Sequence, residues 1–353
     1  MHSAAEEAKE SVGLVLTGGS RHFYMLSHLI LSLRREWNIS LPVEVFYAGP
    51  GDMNEEMVAS LNTIPGVKAL DLTKFFPERT KGMGGWSVKP YAMLASSFQT
   101  VLFVDADVLF FQSPLLALES SAYRETGLLF FQDRFYRDET SQNTPKLFNR
   151  MNRHVSNYAK SMRFTNALTW DLTAGTYKMD SGFVVMDKGR LGNLFALLLT
   201  AKMNTWPEVE TLHAETYGDK ESFFFATEAL RTPYKFNPGY GGALGHEEPT
   251  ENPDFGRVCG IYLLQLDENE NLFWWNGGGV LVDRYRTSNF SGEAWARFSQ
   301  VGLDVDGLGT IWKDFCIVRP KNNVRNLTDT EQALLERYRD IFRKDLEGLG
   351  LKP

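Results

Sequence analysis

The stretch Val101-Leu102-Phe103-Val104-Asp105-Ala106-Asp107-Val108-Leu109-Phe110-Phe111 constrains the fold more than any other. Four apolar, largely β-favouring residues make a run short enough for a buried strand, and it stops abruptly at two carboxylates. Unpaired charge is costly inside a sheet, so Asp105 and Asp107 belong where the strand leaves it, at the carboxyl edge where open α/β sheets bind ligands. Once the backbone bends there, residues i and i+2 need not face opposite ways. Two hard oxygen donors at such an edge suit a Mn²⁺ or Mg²⁺ ion that also holds a diphosphate, the protein giving few ligands and the substrate the others. An acidic turn after a strand is the plainer alternative.

The segments around this stretch alternate in type. Val12 to Thr17 reads as a strand, Gly18-Gly19-Ser20 as a tight turn, and Phe23, Leu26, Ile30, Leu33 and Trp37 fall at helical spacing with Arg34 and Arg35 in the last turns. Val43 to Tyr47 predicts a second strand, Asp52 with Glu55 a capping-box-like helix start, and Val67 to Leu70 a third strand. Lys81 to Trp86 reads as a flexible loop, and Ser87 opens a helix through Phe98 with Pro90 in its first turn. Such alternation favours a mainly parallel sheet with right-handed crossovers, its ligand site at the carboxyl ends of the strands. Beyond the acidic edge, Ser113-Pro114 starts a short helix and Gly127 to Phe131 a strand that ends in the polar Gln132-Asp133-Arg134. Pro145 to Ser161 is basic, a helix or loop over the sheet.

The second half is less regular. Tyr177 to Asp187 is strand-like but interrupted by Asp180-Ser181-Gly182, and Leu191 to Met203 is apolar enough for a buried helix. Gly218 to Glu221 precedes an aromatic helix, Ser222 to Leu230. Cys259 to Asp267 and Leu272 to Tyr285 flank the turn Glu268 to Asn271 as a hairpin, and Asp329 to Leu346 forms an amphipathic helix. No linker is evident. The expectation is one domain over 1–353, with a nucleotide-binding half (12–135), a half for donor sugar and acceptor (136–290) and a helical extension (291–353).

A net charge of −7 argues against a general attraction to nucleic acid, while leaving room for a local basic pocket. No apolar run is long enough to span a bilayer, so the chain reads as soluble, or as the lumenal part of a protein anchored elsewhere. Asn38, Asn289 and Asn326 carry the Asn-x-Ser/Thr acceptor pattern. Cys259 and Cys316 permit one disulfide in an oxidising compartment or two buried thiols elsewhere.

Taken in order, Thr17-Gly18-Gly19-Ser20, Ser32-Leu33-Arg34, Leu41 to Val45, Lys89 to Leu94 with Ser96-Ser97-Phe98, Val101 to Pro114, Asp180-Ser181-Gly182 through Lys188, and Gly218-Asp219-Lys220 resemble the fungal α-mannosyltransferases that extend mannan side chains. The resemblance runs from about Gly13 to Asp283. It implies a GT-A-like nucleotide-sugar-binding domain, with a central, mainly parallel sheet flanked by helices and a late β-hairpin. It also implies retention, GDP-mannose as donor, a glycan or mannan acceptor, and a Golgi-lumenal setting as part of a type II membrane protein. Donors based on UDP, a catalytically silent glycan-binding module and a nucleotidyltransferase stay open.

Each residue has a chemical reading. Asp107 is the expected metal ligand, and Asp105 holds ribose hydroxyls or the metal through water. Lys89 offers charge to the diphosphate, or is simply solvated. Thr17, Gly18, Gly19 and Lys220 fall on the donor side by resemblance. Ser181-Gly182 lets backbone approach the donor sugar with Asp180 accepting a hydroxyl, or marks a bulge. Asp219 lies near the transferring carbon, where oxocarbenium charge needs a negative partner, or caps a helix. Related hairpins bring a histidine near the position of Trp275, which cannot bind an ion. His246, in the preceding glycine-rich loop, then completes the shell, or water and diphosphate do. Trp274 and Trp275 suggest a sugar-stacking wall, against plain core aromatics.

Overall fold

The computed structural model describes residues 11–79, 83–134, 179–216, 218–260, 263–278, 299–304 and 316–348. The basic segment Pro145 to Ser161, Tyr177, the residues after Gly278 in the expected hairpin, and Asn289 lie outside them.

The chain opens with β1 (Val12–Thr17), α1 (Phe23–Arg35), β2 (Val43–Tyr47), α2 (Glu55–Asn62), β3 (Val67–Asp71), α3 (Val88–Ala95) and β4 (Thr100–Asp105). These four strands are mutually parallel. After β5 (Leu109–Phe110) and α4 (Ser121–Thr126), β6 (Leu128–Gln132) and β7 (Met179–Asp187) complete a six-stranded sheet in the order β3-β2-β1-β4-β7-β6, with β7 antiparallel to both neighbours. Alternation divides the strand residues between two cores. Leu14, Leu16, Leu102 and Val104 pack with Leu26, Ile30 and Leu33 of α1, whereas Val15, Val101 and Phe103 face Ala92 and Met93 of α3. On that second face lie α5 (Leu191–Met203) and α7 (Lys220–Ala229), with α6 (Glu208–Glu215) against α5.

Some boundaries differ from expectation for local reasons. Asp52 does not cap the next helix, because its carboxylate accepts from the Ala48 N–H and its carbonyl from Ser20. Asn54 is the cap, accepting from Met57 N–H at 2.8 Å. The glycine at 19 is needed for this arrangement, since a Cβ there would lie 1.9 Å from Asp52 Oδ1. Helix α3 stops at Ala95 instead of Phe98, whose ring turns back over Gly13. Lys220, not Ser222, begins α7.

A second sheet follows: β8 (Tyr240–Glu248), β9 (Phe255–Cys259), β10 (Leu263–Leu266), β11 (Leu272–Trp275), β12 (Gln300–Asp304), β13 (Cys316–Pro320) and β14 (Val324–Asn326), with α8 (Asp329–Gly348) last. Its main path is β13-β9-β8-β10-β11-β5, and β12 pairs with β8 and β14. The expected helical extension thus contributes three strands. The glycine-rich segment before His246 is a strand, not a loop, and its glycines admit neighbouring backbone. A Cβ would meet Gly302 O at 2.5 Å from Gly242, and Cys259 O at 1.8 Å from Gly245. Cys259 pairs in register with Cys316, and the two form a disulfide. Leu334, Leu335, Tyr338, Ile341 and Phe342 of α8 are buried against this sheet, and His28 of α1 donates to the Tyr338 carbonyl at 2.8 Å.

β5 belongs to the second sheet, pairing Phe110 with Trp274 and Leu109 with Trp275. The chain therefore leaves one sheet at Asp105 and enters the other at Leu109, and the acidic edge sits at the hand-over.

Candidate active site

Lys89 is the hub. It lies in the first turn of α3, is 5% exposed, and its ammonium donates to Asp105 Oδ2 at 2.8 Å and to Ser181 Oγ at 3.1 Å. Asp219 Oδ1 stands 3.5 Å from the same nitrogen. Three elements thus converge: the end of β4, the start of β7 and the residue before α7. Burial pushes the Lys89 ammonium down, but Asp105, Asp219 and Asp180 outweigh it and hold the group above its ordinary value. Lys89 is accordingly committed to protein carboxylates instead of standing as a free point charge.

Acidic groups outnumber their partners here. Burial, with Asp107 and Asp219 nearby, pushes the Asp105 carboxyl up to about 7 against the pull of Lys89. Asp219 is 2% exposed; it makes no side-chain cap to α7, and its Oδ2 has no hydrogen-bond partner among the described residues. Asp107 is half-buried, two residues beyond Asp105. Hard oxygen donors short of positive charge fit a divalent cation. Asp105 and Asp107 would hold it, with Thr17, in register with Asp105 on β1, beside them.

A second node lies alongside. Lys220 pairs with Asp133, which is 1% exposed and also approached by Arg134 Nε at 3.5 Å. Burial alone would raise the Asp133 carboxyl, yet Lys220 and Arg134 keep it below its ordinary value. Asp180 accepts from Gly182 N–H at 2.9 Å and from Gln265 Nε2 at 3.2 Å, while burial and the charge of Asp133 push it up to about 6. Consecutive residues Asp219 and Lys220 therefore serve different nodes.

Three expectations change. A Cβ at Gly182 would lie 2.9 Å from both Asn276 Oδ1 and a Trp274 ring carbon, so the glycine makes room for the hairpin, not for a ligand. Pairing of β6 with β7 is irregular at this point, as a bulge requires. Trp274 and Trp275 are each 0% exposed and form no stacking wall. His246 pairs in register with Cys259 and reaches Glu248 at 3.4 Å. From Leu109 the path to β8 crosses β11 and β10 and arrives at Gly242, so His246 is three strand spacings across and four residues along, roughly 20 Å from the acidic edge. The hairpin instead meets that edge at Gly278, whose N–H donates to the Asp107 carbonyl at 2.7 Å. Glu248 does lie close to Cys259 and Cys316, but those sulfurs are joined to each other and cannot serve as thiolate ligands.

The family model described as "Mannosyltransferase putative" matches residues 11–267, well over half of the chain. The chain belongs to this mannosyltransferase family. Among curated relatives, alpha-1,3-mannosyltransferase MNN1 of Saccharomyces cerevisiae is 23% identical over 319 residues, covering 76% of this chain and 41% of that protein. Alpha-1,3-mannosyltransferase MNT3 of the same yeast is 30% identical over 216 residues, 53% of this chain and 33% of the relative. Alpha-1,2-mannosyltransferase MNN2 of Candida albicans is 33% identical over 140 residues, 37% and 22% respectively. The chain spans about half the length, or less, of these relatives.

Within this mannosyltransferase chain, sequence reasoning passed over Asp133 and Gln265 as site residues. Asp133 was visible as a polar residue ending an apolar strand, the same pattern that marks Asp105. Gln265, within a β-rich run, gave no such signal. It is 2% exposed and bridges Asp180 to the Gln132 carbonyl.

Proposed function

We propose that the chain is the catalytic part of a metal-dependent α-mannosyltransferase that moves mannose from GDP-mannose to a glycan hydroxyl with retention of configuration. The observation that carries this reading is the acidic edge itself: Asp105 and Asp219 both gathered about the ammonium of Lys89, with the charge of Asp107 acting on Asp105. Family membership supports mannose as the transferred sugar, and relatives named for α-1,3 and α-1,2 linkages leave the position open. Asp105 and Asp107 hold Mn²⁺ or Mg²⁺, which when bound stabilises the departing diphosphate. Asp219, buried and with one carboxylate oxygen unengaged, faces the positive charge that develops at the anomeric carbon. Lys89 bridges Asp219 and Asp105 and offsets part of their mutual repulsion. The alternative is a silent glycan-binding module, motivated by Trp275 standing where related hairpins bring a histidine.

A lumenal setting is part of the same proposal. It is supported by the Cys259–Cys316 disulfide and by the exposed acceptor asparagines Asn38 and Asn326. No described helix is long and apolar enough to cross a membrane. The test is transfer: with Mn²⁺, GDP-mannose and α-mannobiose, GDP release and an α-linked trisaccharide are expected. Release of pyrophosphate from GTP, without sugar transfer, would mean a nucleotidyltransferase.

A further inference from the structure

Trp86 is a large aromatic side chain that the protein leaves 45% exposed beside Gly218, the residue before Asp219. It stands in a single helical turn, Gly85–Ser87, directly before α3, three positions ahead of Lys89. That turn is pinned. Ser87 Oγ donates to the Gly84 carbonyl at 2.8 Å, and Ser87 is 2% exposed. The indole lies on Gly218, the residue before Asp219: a Cβ there would come within 2.8 Å of its ring carbons, and Gly218 has the left-handed φ of +77°. The His213 ring meets the indole edge-on at 6.2 Å between centroids. One part of the indole is thereby fixed against the turn that carries Asp219 while another faces solvent.

We infer that Trp86 is the stacking platform for a pyranose of the acceptor glycan, placing that sugar beside Asp219. The chemistry follows from the geometry. Pyranoses present a face of C–H groups that packs on an aromatic ring, and a rigid indole holds it at low entropic cost. Asp219 is the next residue after the glycine that the indole covers, so a sugar on the exposed part of the ring is held beside the turn that carries Asp219. Bulk at Gly218 would push the platform away, which gives that glycine a second constraint beyond its φ.

This inference rests on the mannosyltransferase reading, and the two fail differently. The protein is labelled with 5-fluorotryptophan and its fluorine resonances are recorded with Mn²⁺ and GDP while α-mannobiose is added; loss of a signal in Trp86→Phe assigns it among the eight tryptophans. The Trp86 resonance is expected to shift on titration while those of Trp274 and Trp275 stay still. Trp86→Ala should raise the KM for α-mannobiose about fivefold to tenfold and leave the KM for GDP-mannose unchanged, with Trp86→Phe recovering most of the loss. A Trp86 resonance indifferent to the sugar overturns the assignment, as does an equal rise in both KM values, which would mean that the indole only supports the Gly218 turn. Failure of the proposed GDP-mannose transfer shows separately, as absence of any Mn²⁺-dependent response to GDP.

Discussion

Asp219 Oδ1 lies 3.5 Å from Lys89 Nζ, yet the other oxygen of the same buried carboxylate has no hydrogen-bond partner among the described residues. A group held this way adds little to the fold, because its desolvation and its repulsion with Asp105 offset the attraction to Lys89. Asp219→Asn should therefore leave the chemical-denaturation midpoint within about 1 kcal/mol of wild type while reducing turnover on the order of 10²- to 10³-fold. Loss of stability in proportion to loss of turnover would make Asp219 a structural group.

Gly182 makes the opposite case. A methyl at this position meets Trp274 and Asn276, both at 2.9 Å, inside a strand without room to yield. Gly182→Ala is expected to lower stability by about 1–3 kcal/mol. Donor affinity in the surviving folded protein, measured by calorimetry with GDP and Mn²⁺, should stay near wild type. A stable variant with weakened donor binding would return Gly182 to the ligand.

The strand and helix order of the first sheet was legible because each element there carries its own signal: Val12 to Thr17 and Val101 to Val104 are unbroken apolar runs, and α1 has a clear period. The Asp105–Asp107 edge was legible for the same reason, since carboxylates after such a run have few places to go. Tertiary demands hid the rest. Tyr240 to Gly245 looks like a loop because its glycines answer to Gly302 and Cys259 on neighbouring strands, which local propensity does not register. His246 and Trp275 were drawn toward the site by resemblance, whereas the hairpin reaches Asp107 only at Gly278.

Acid stability should depend on His28. The ring is 2% exposed between α1 and α8, and burial, only partly opposed by its bond to the Tyr338 carbonyl, pushes it down to about 4 from an ordinary 6.5. The folded protein keeps it neutral where the unfolded chain takes up a proton. Its contribution is therefore intact above pH 6.5 and is lost as the pH falls toward 4, by up to about 3 kcal/mol. Urea titrations from pH 7 to pH 4 should show a shallower decline for His28→Gln. Parallel curves would clear His28 of this role.

The disulfide joins strands across a separation of 57 residues. Restricting a loop of that length in the unfolded chain stabilises the fold by about 4 kcal/mol. The double variant Cys259→Ser, Cys316→Ser should lose that amount, and a reducing agent should lower the midpoint of wild type but not of the variant. A midpoint in wild type that ignores reductant would contradict the pairing.

A guanosine diphosphate donor held with a metal at Asp105 and Asp107 is tested most directly by a melting scan. A ligand that binds only the folded state adds about 2.7 kcal/mol at one hundred times its dissociation constant, well within detection. With Mn²⁺ present, GDP should raise the melting temperature more than UDP at equal concentration, and Asp107→Ala should abolish the metal-dependent part while melting like wild type without ligand. A larger shift with UDP would contradict the mannosyl donor, and no shift with either nucleotide would contradict the transferase.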